Sequence, residues 1–327
     1  MKKKIITTLI SIILCIAMVM VYTNFKKEDN GLTKIKLTEV THSAFYAPLY
    51  VAIENGYFQS EGLEVELVLT PGADKVASAV LSGDTQIGFA GPESAIYVYE
   101  GENEDYLVTF AGLTKRDGQF IVSREKSFSW KDLEGKEVLV GRKGGMPALN
   151  FINALKNANV DISKVNLNYS IDFASLSGAF IGGTGNYVNL FEPNATKLES
   201  ESLGYVVASI GEKSGEMPYT AFYSKKSYLE NNKETLIKFN KALNRALKFV
   251  DENEADTISQ VILPQFSDTT IDSLSSIVKR YKESDSWLKT TYITEKSYRN
   301  LEKLMIENDL LDDYVPYKEL INNLSNE

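Results

Sequence analysis

Cysteine and histidine are almost absent from this chain. Its 327 residues contain one cysteine, Cys15, and one histidine, His42. A zinc or iron site needs several His, Cys or carboxylate ligands at suitable spacing. A Ser-His-Asp triad would have to use His42, and no G-x-S-x-G turn precedes it. We therefore expect no catalytic residue, no metal site and no cofactor, so that the protein is not an enzyme.

Signals for nucleotide and nucleic-acid binding are also missing. The glycine-rich run at residues 141–145 (GRKGG) lacks the G-x-x-x-x-G-K-[ST] spacing of a phosphate-binding loop. The formal net charge is −9, which argues against nucleic acid as a partner. Because hydrophobic residues make up 43% and charged residues 24% of the chain, we expect an ordinary globular protein.

The longest hydrophobic run lies near the N-terminus. Lys2, Lys3 and Lys4 precede an apolar run over residues 5–22, and two further lysines follow it. This order is typical of an export signal. The run is also long enough to cross a bilayer, which takes roughly 17–25 residues. We interpret residues 1–27 as a signal or membrane-anchor segment and expect the remainder to work outside the cytoplasm.

Hydrophobic periodicity after residue 32 indicates alternating strands and helices. Residues 63–69 (LEVELVL) alternate as a half-buried strand, residues 73–82 form a helix that Gly83 closes, and residues 86–90 form the next strand. Repeated β-α-β units of this kind predict an α/β fold with mainly parallel sheets.

A second α/β region is expected to begin near Ser123, with strands at residues 137–141 and 165–169. From residue 227 onward the chain is nearly all helix. One apolar stripe at helical spacing in this part is expected to pack against the first sheet. Its members are Leu236, Phe239, Leu243, Ala246, Leu247 and Val250.

Two segments run from an apolar strand pattern through a turn of small residues into a helix. They are residues 41–58 (THSAFYAPLYVAIENGYF) and 84–97 (DTQIGFAGPESAIY). In open α/β sheets, ligands bind beyond the carboxyl ends of strands, where helix starts offer free N–H groups. The two segments therefore predict a ligand crevice, and we expect binding rather than chemistry.

These segments belong to an ordered set that resembles a known family, the extracytoplasmic solute-binding proteins of ABC importers in the SsuA/THI5-like group for sulfonates, nitrate and thiamine precursors. The resemblance covers nearly everything after residue 32. The other segments of the set are residues 59–69 (QSEGLEVELVL), 141–147 (GRKGGMP), 178–193 (GAFIGGTGNYVNLFEP) and 209–223 (SIGEKSGEMPYTAFY).

The resemblance implies a periplasmic-binding-protein fold of type 2, with two α/β lobes joined by two crossing segments near residues 110–122 and 218–223. Lobe 1 would comprise residues 33–122, lobe 2 residues 123–217, and a mostly helical return to lobe 1 residues 218–327. Closure of the lobes about the hinge would bury a small-molecule ligand and present it to an ABC permease and its ATPase. We expect a monomer.

The resemblance also bears on the N-terminal segment and on enzyme activity. Lipoproteins of the family usually have a small residue before the lipidated cysteine, whereas Leu14 precedes Cys15 here. An uncleaved anchor, an atypical lipoprotein and secretion stay open, so the domain is tethered to the outer face of the cell membrane or released.

Related fungal pyrimidine synthases carry a cysteine-rich motif that this chain lacks, which argues against synthase activity.

Candidate ligand residues of lobe 1 follow its first strand. His42, Ser43, Phe45 and Tyr46 lie between that strand and its helix, where an aromatic ring can stack on a planar ligand and a hydroxyl can orient it. The alternative for each is packing at the lobe edge.

Gly91, Pro92, Glu93 and Ser94 open another helix at the carboxyl end of a strand. Their N–H groups and the Ser94 hydroxyl can meet a hydrogen-bond acceptor. Glu93 has an alternative role as a first-turn carboxylate that the helix dipole favours.

Candidates of lobe 2 begin after its first strand. Gly144 and Gly145 permit either close approach of a ligand to the backbone or only a tight turn. Arg142 can bind a sulfonate, carboxylate or phosphate in a bidentate manner if it faces the cleft. Lys115 and Arg116 share that possibility, with hinge salt bridges as the alternative.

The run at residues 182–193 (GGTGNYVNLFEP) is the most distinctive of the chain. The resemblance implies that Glu192 lies close to the cleft, where it would accept a hydrogen bond from an amino group on a heterocycle. Asn186 stands where many relatives carry Asp. Tyr187 either walls the cleft or packs the strand.

Two functions from different classes stay open: a solute receptor for an ABC permease, and a membrane-anchored sensing domain that uses the same cleft. No transmitter or kinase segment is evident, so we expect the receptor. Aromatic residues near the expected cleft favour a planar heterocycle, such as a thiamine-precursor pyrimidine, over sulfonates and small oxyanions. They are Phe45, Tyr46, Tyr187, Phe191, Tyr219 and Phe222.

Overall fold

The computed structural model describes residues 31–324. This part of the chain contains ten strands. In chain order they are β1 Thr33–Glu39, β2 Leu63–Leu69, β3 Ile87–Ala90, β4 Leu107–Thr114, β5 Phe120–Ser123, β6 Glu137–Leu139, β7 Asn166–Asn168, β8 Tyr187–Leu190, β9 Tyr205–Ser209 and β10 Thr220–Lys225. They form two five-stranded sheets, in the orders β2-β1-β3-β10-β4 and β7-β6-β8-β5-β9. We call the elements around the first sheet lobe 1 and those around the second sheet lobe 2.

Helices cover both sheets. They are α1 Ala47–Glu54, α2 Tyr57–Ser60, α3 Ala73–Ser82, α4 Glu93–Glu100, α5 Met146–Asn157, α6 Leu176–Ile181, α7 Asn194–Ser200, α8 Ile210–Ser214, α9 Lys226–Asn231, α10 Lys233–Glu252, α11 Ala255–Ile262, α12 Ile271–Glu283, α13 Glu295–Ile306 and α14 Tyr317–Leu320. Among residues 31–324, no helix is long and apolar enough to cross a membrane. The interpretation of residues 1–27, including lipidation of Cys15, concerns residues outside the described part.

The strand directions confirm the predicted α/β fold with two lobes, but both sheets are mixed rather than mainly parallel. In lobe 1, β1 and β3 are parallel, whereas β10 is antiparallel to β3 and to β4. In lobe 2, β6 is parallel to β7 and β8, whereas β5 is antiparallel to β8 and β9. The antiparallel pairs involve β10 and β5, which enter their sheets from the other lobe instead of through a β-α-β unit.

The chain crosses between the lobes twice, at residues 115–119 and 215–219. These crossings are shorter than predicted, because residues 110–114 and 220–223 belong to strands β4 and β10. The two crossings are bonded to each other and to the first sheet: the Met217 N–H donates to the Lys115 carbonyl over 3.0 Å, and the Tyr219 N–H donates to the Thr114 carbonyl over 3.0 Å. The hinge therefore consists of two adjacent, hydrogen-bonded segments.

The predicted apolar stripe on α10 is buried against lobe 1. Phe239 lies at its centre, with its ring centroid 4.8 Å from that of Phe58, 5.9 Å from Phe110 and 5.4 Å from Phe222. Phe110 and Phe222 belong to strands of the first sheet, so the helical return covers one face of that sheet, as the spacing predicts.

Helix α12 also joins the helical return to the other lobe. The buried Tyr281 hydroxyl donates to the Gly118 carbonyl over 3.1 Å and accepts from the Glu192 N–H over 3.1 Å. Gly118 lies in the first crossing and Glu192 in lobe 2, directly after β8. One phenol thus satisfies two buried backbone groups at the base of the hinge.

We expect Tyr281→Phe to lower the free energy of unfolding by about 1–3 kcal/mol, because both buried backbone groups lose their partner. Urea denaturation measures the change. Tyr298→Phe is the matched control: Tyr298 is also buried, but its hydroxyl has no partner among residues 31–324, so its removal should be nearly neutral. Equal effects of the two substitutions would contradict this account of the hinge.

Candidate ligand-binding cleft

A cavity of about 330 Å³ lies between the two lobes. Its lining residues follow the carboxyl ends of β1, β2, β3, β6, β7 and β8, which is where a ligand crevice is expected in open α/β sheets. The second crossing completes the wall. The lining consists of Val40, Thr41, Tyr46, Pro71, Gly72, Ala73, Asp74, Lys75, Gly91, Glu93, Arg142, Gly145, Met146, Pro147, Asp172, Phe173, Ala174, Phe191, Tyr219 and Thr220.

Aromatic rings from both lobes and from the crossing form part of the wall. Phe191 and Phe173 of lobe 2 lie with ring centroids 5.6 Å apart, and Tyr219 of the second crossing lies 6.2 Å from Phe191. Tyr46 of lobe 1 packs edge-on against Phe89 at 4.4 Å. A flat ligand can make offset or edge-on contacts with such rings.

Glu93 is the buried carboxylate of the cavity. It is the first residue of α4 and only 1% of its surface is exposed. Its Oε2 has no hydrogen-bond partner among residues 31–324. Burial raises the pKa of Glu93 to about 7, and the charge of Arg142 and nearby backbone N–H groups oppose that rise. Glu93 therefore changes its charge near neutral pH.

Arg142 reaches the same cavity from lobe 2. It follows β6, is exposed, and its Nη2 lies 3.5 Å from the position of a Cβ built on Gly145. Within the described part of the chain its guanidinium has no ion pair, although its charge acts on Glu93. The guanidinium is thus available to a ligand.

Glycines let the two lobes approach each other at this point. A Cβ on Gly91 would lie 2.0 Å from the Glu93 Oε2 and 2.6 Å from the Met146 Cγ of lobe 2, so a larger residue would displace these side chains. Gly144 has φ +78 and forms a turn, and its carbonyl accepts from the Tyr97 hydroxyl of lobe 1 over 2.8 Å. Of the two glycines predicted in lobe 2, Gly145 lines the cavity and Gly144 does not.

In the loop after β1, Tyr46 lines the cavity, whereas His42, Ser43 and Phe45 do not. The Ser43 hydroxyl donates to the Glu192 carbonyl over 2.6 Å, and the Phe45 ring covers Gly118 of the first crossing. These contacts correspond to the packing alternative. Ser43 and Phe45 join lobe 1 to the hinge and to lobe 2.

His42 has a structural position at the edge of lobe 1. Its Nδ1 lies 2.7 Å from a carboxylate oxygen of the buried Glu39, and its Nε2 lies 2.9 Å from the Gln265 carbonyl. Burial lowers the pKa of His42, but the hydrogen bonds to Glu39 and Gln265 outweigh burial, and the net shift is upward. Both ring nitrogens face acceptors, which suits the protonated imidazole.

Four more of the predicted residues lie outside the cavity lining. Both Pro92, which precedes α4 as its N-cap, and Ser94, in the first turn of that helix, are buried. The Asn186 Oδ1 accepts from the Glu137 N–H over 3.0 Å, and Tyr187 packs edge-on against Phe128 at 6.0 Å inside lobe 2. Their roles as ligand residues stay predictions.

Glu192 is buried beside the cleft, but its carboxylate makes its contacts outside the cavity. It pairs with Arg280 of α12, and its Oε2 accepts from the Thr196 N–H over 2.7 Å. It does not line the cavity, and its carboxylate already has partners. The contacts of Glu192 therefore indicate a link between α12 and lobe 2.

The two cations of the first crossing, Lys115 and Arg116, form salt bridges, which was the alternative to binding a ligand. Lys115 lies 2.8 Å and Arg116 3.5 Å from the Asp285 carboxylate. Among the described residues 31–324, no group of three or more His, Cys, Asp or Glu side chains can hold a metal ion.

Sequence reasoning missed part of the wall. Asp74 and Lys75 follow β2, so the strand-end rule that found Glu93 could have found them. Asp172 and Phe173 lie in a short turn after β7, in a segment without the glycine-rich pattern that drew attention to the other loops.

The comparisons with known proteins fit this geometry. Residues 44–256 match the family model described as NMT1/THI5 like. The chain belongs to this family. It is 42% identical over 299 residues to the YtlA protein of Bacillus subtilis (strain 168), whose name gives a provisional assignment as a binding protein, and the match covers 90% of each chain.

A second relative has a named ligand. The formylaminopyrimidine-binding protein of Halalkalibacterium halodurans is 21% identical over 252 residues, with 74% of each chain covered. Among solved structures, the alkanesulfonate-binding protein SsuA from Xanthomonas axonopodis pv. citri, bound to MOPS, superposes with a TM-score of 0.70 at 15% identity, covering 88% of this chain and 98% of that one. The last likeness concerns the fold alone.

The family membership confirms the predicted SsuA/THI5-like resemblance and the expectation of a binding protein rather than an enzyme. The relative that is 42% identical is named as a binding protein, and the solved alkanesulfonate-binding protein shares the fold of this chain.

The shifted pKa of Glu93 predicts how stability depends on pH. The pKa of this carboxyl rises from 4.5 to about 7 on folding, so the folded state binds a proton more tightly and stability falls as the pH rises through this interval. Glu93→Gln removes the ionisation. We expect it to stabilise the unliganded protein at pH 8, by up to about 3 kcal/mol, and to have a small effect at pH 5.

Urea denaturation at the two pH values measures this difference. Glu100→Gln, at the exposed end of the same helix, is the matched control and should show no comparable pH-dependent gain. A gain for Glu93→Gln that is the same at both pH values would contradict the assigned pKa.

Proposed function

We propose that this protein captures a planar heterocycle with an amino group, such as a thiamine-precursor pyrimidine, and delivers it to an ABC permease and its ATPase. The observation that carries the proposal is the buried Glu93 carboxylate, whose Oε2 lacks a partner within the described chain at the wall of an aromatic-lined cavity. An amino group on the ligand would supply the missing donor.

The free energy of a buried acceptor without a partner supports a ligand that carries a hydrogen-bond donor. A buried acceptor without a partner costs about 1–3 kcal/mol, and a charge-assisted hydrogen bond contributes about 1.5–3 kcal/mol. An aminopyrimidine offers an N–H donor and a ring nitrogen on one edge, so it can pair with the carboxylate or with the carboxylic acid form of Glu93. Its flat ring would lie against Tyr46, Phe191 and Tyr219.

The charges of the wall argue against a small anion as the principal ligand. Three carboxylates, Glu93, Asp74 and Asp172, line the cavity with two cations, Arg142 and Lys75. A sulfonate or nitrate would lose its hydration next to Glu93, where a like charge is unfavourable. Because Arg142 and the N–H groups at the start of α5 can bind a negative charge, a small anion is the second candidate ligand.

The relatives support the same ranking, with a heterocycle ahead of a small anion as the ligand. The formylaminopyrimidine-binding protein is related in sequence and its name specifies a heterocycle, whereas the alkanesulfonate-binding protein resembles this chain in fold. A membrane-anchored sensing domain would use the same cleft, and a permease that binds the loaded protein would argue against it.

The domain would work outside the cytoplasm, as a monomer without nucleic-acid partners, and residues 1–27 would tether it to the outer face of the cell membrane or direct its secretion. We place the lobe limits at the crossings, residues 115–119 and 215–219, because each crossing separates strands of different sheets.

The test is a thermal-shift screen of aminopyrimidines, thiamine, flavins, alkanesulfonates, taurine and nitrate, followed by calorimetry of the compounds that bind. A ligand at 100 times its Kd adds about 2.7 kcal/mol of stability, which such a screen detects. We expect an aminopyrimidine to bind, and Glu93→Gln to weaken it about tenfold or more through loss of the charge-assisted bond.

Glu192→Gln is the matched control, because Glu192 is a buried carboxylate outside the cavity lining. A loss with Glu192→Gln but not with Glu93→Gln would favour the site implied by the family resemblance. Binding of a sulfonate that Glu93→Gln leaves unchanged or strengthens would favour the anion instead.

A further inference from the structure

Asp117 is a buried carboxyl in the first crossing, with only 1% of its surface exposed. Its Oδ1 accepts from the Gln119 N–H over 2.7 Å, whereas its Oδ2 has no hydrogen-bond partner among residues 31–324. The neighbouring cations, Lys115 and Arg116, both pair with Asp285 instead. A buried carboxylate without a counterion is costly, because water no longer solvates its charge. The geometry of the hinge therefore favours the neutral, protonated form of Asp117.

The groups that enclose Asp117 come from both lobes and from the second crossing. Tyr219 of the second crossing interacts with the carboxyl, and its own buried hydroxyl has no hydrogen-bond partner in the described chain. In lobe 1, burial raises the pKa of Tyr46, and the charge of Asp117 adds to the rise. In lobe 2, a Cβ built on Gly211 would lie 2.1 Å from the Asp117 carbonyl oxygen, so α8 packs directly on the crossing. A movement of one lobe relative to the other therefore changes the surroundings of Asp117.

Burial dominates the ionisation of Asp117. It raises the pKa of this carboxyl well above the usual range, and one backbone N–H and the Tyr219 hydroxyl only partly oppose the rise. No cation of the described chain contributes, since Arg280 of α12, which lies over the Phe120 ring, pairs with Glu192. The other titratable groups on the elements around Asp117 are Glu39 and Tyr46 near the end of β1, Glu93 of α4, Glu212 and Lys213 of α8, and Tyr281 of α12.

We propose that the protein takes up a proton at Asp117 when its lobes close on a ligand. When the lobes part, water reaches the crossings and the carboxyl is ionised at neutral pH, as an ordinary Asp is. When they close, the carboxyl is enclosed without a cation and binds a proton. The inference rests on the lobe closure of the proposed function, but it is independent of which compound fills the cleft.

The linked proton determines how ligand affinity depends on pH. Because the closed form binds one proton more than the open form, affinity falls as the pH rises, by up to about tenfold per pH unit. The fall begins above the pKa of Asp117 in the open form and ends above its pKa in the closed form. Glu93 titrates as well, so the contribution of Asp117 is measured by comparison with a variant that lacks only the Asp117 carboxyl.

Calorimetry in two buffers with different ionisation enthalpies measures the number of protons taken up per ligand bound. The probe is an aminopyrimidine, or an alkanesulfonate if that compound binds in the screen. Asp117→Asn is nearly isosteric, is neutral at every pH and keeps an oxygen for the Gln119 N–H. At pH 7 we expect the wild type to take up more protons than Asp117→Asn, by up to about one per ligand. Its affinity should fall relative to that of the variant, by about threefold or more, between pH 6 and 8.

Asp285→Asn is the matched control. Asp285 is an exposed carboxylate of the same region that pairs with Lys115 and Arg116, so its removal changes the charge beside the hinge without removing a buried carboxyl. This variant should keep the proton uptake and the pH dependence of the wild type.

Hydrogen exchange provides a test that needs no ligand. The Met217 and Tyr219 N–H groups are bonded across the two crossings, so their exchange reports opening of the hinge. At pH 9 these two amides should exchange faster in the wild type than in Asp117→Asn, whereas at pH 5 the two proteins should be alike. Comparison at equal pH removes the intrinsic pH dependence of amide exchange.

Equal proton uptake and an equal pH dependence of affinity in the wild type and Asp117→Asn would overturn the inference, and so would loss of the uptake with Asp285→Asn. In these cases a ligand still binds, so the proposed function stands. If no compound of the screen binds, the proposed function fails by itself and the exchange experiment decides the inference. Equal exchange of the two amides at pH 9 would then overturn it.

Discussion

The site depends on a carboxylate that is buried without a full set of hydrogen-bond partners. Glu93 sits at the start of α4, and its free oxygen lies beside a glycine at the wall of the cavity. Such a group is unfavourable in the unliganded protein, because burial raises its pKa and leaves an acceptor unused. In the proposed function the same features would make the site selective, since a ligand that donates to this oxygen would recover free energy that a ligand without a donor does not.

The architecture places this carboxylate opposite a cation. Strands of both sheets end at the interface between the lobes, so the residues that follow them meet there from two directions. The two short crossings, together with Tyr281 and the Ser43 contact to Glu192, connect the lobes on the hinge side. In the proposed function, a ligand would lie between the two lobes, and closure about the crossings would bury it.

Local sequence patterns predicted the elements and several of the residues that line the cavity. The strand-turn-helix pattern around Glu93 and the glycine-rich turn after Arg142 can be recognised from the local sequence. A strand end followed by small residues places backbone N–H groups at the sheet edge. Tyr46 was found by the same reasoning. The α10 stripe around Phe239 was visible because helical spacing is itself a local property.

Other features depended on contacts that are distant in the chain. Glu192 pairs with Arg280, which lies 88 residues later, and no local pattern indicates that this pairing turns the carboxylate away from the cavity. The roles of His42 and Ser43 likewise follow from partners at residues 265 and 192. The sequence could narrow the candidates to loops that border the cavity, but it could not give the direction in which each side chain points.

The most direct measurement is a crystal structure of the protein with an aminopyrimidine that binds in solution. We expect the ring to lie between the lobes, with its amino nitrogen within hydrogen-bonding distance of the Glu93 Oε2 and its plane against Tyr219 or Phe191. A ligand held by Glu192, or one whose nearest polar contacts leave Glu93 without a donor, would contradict it.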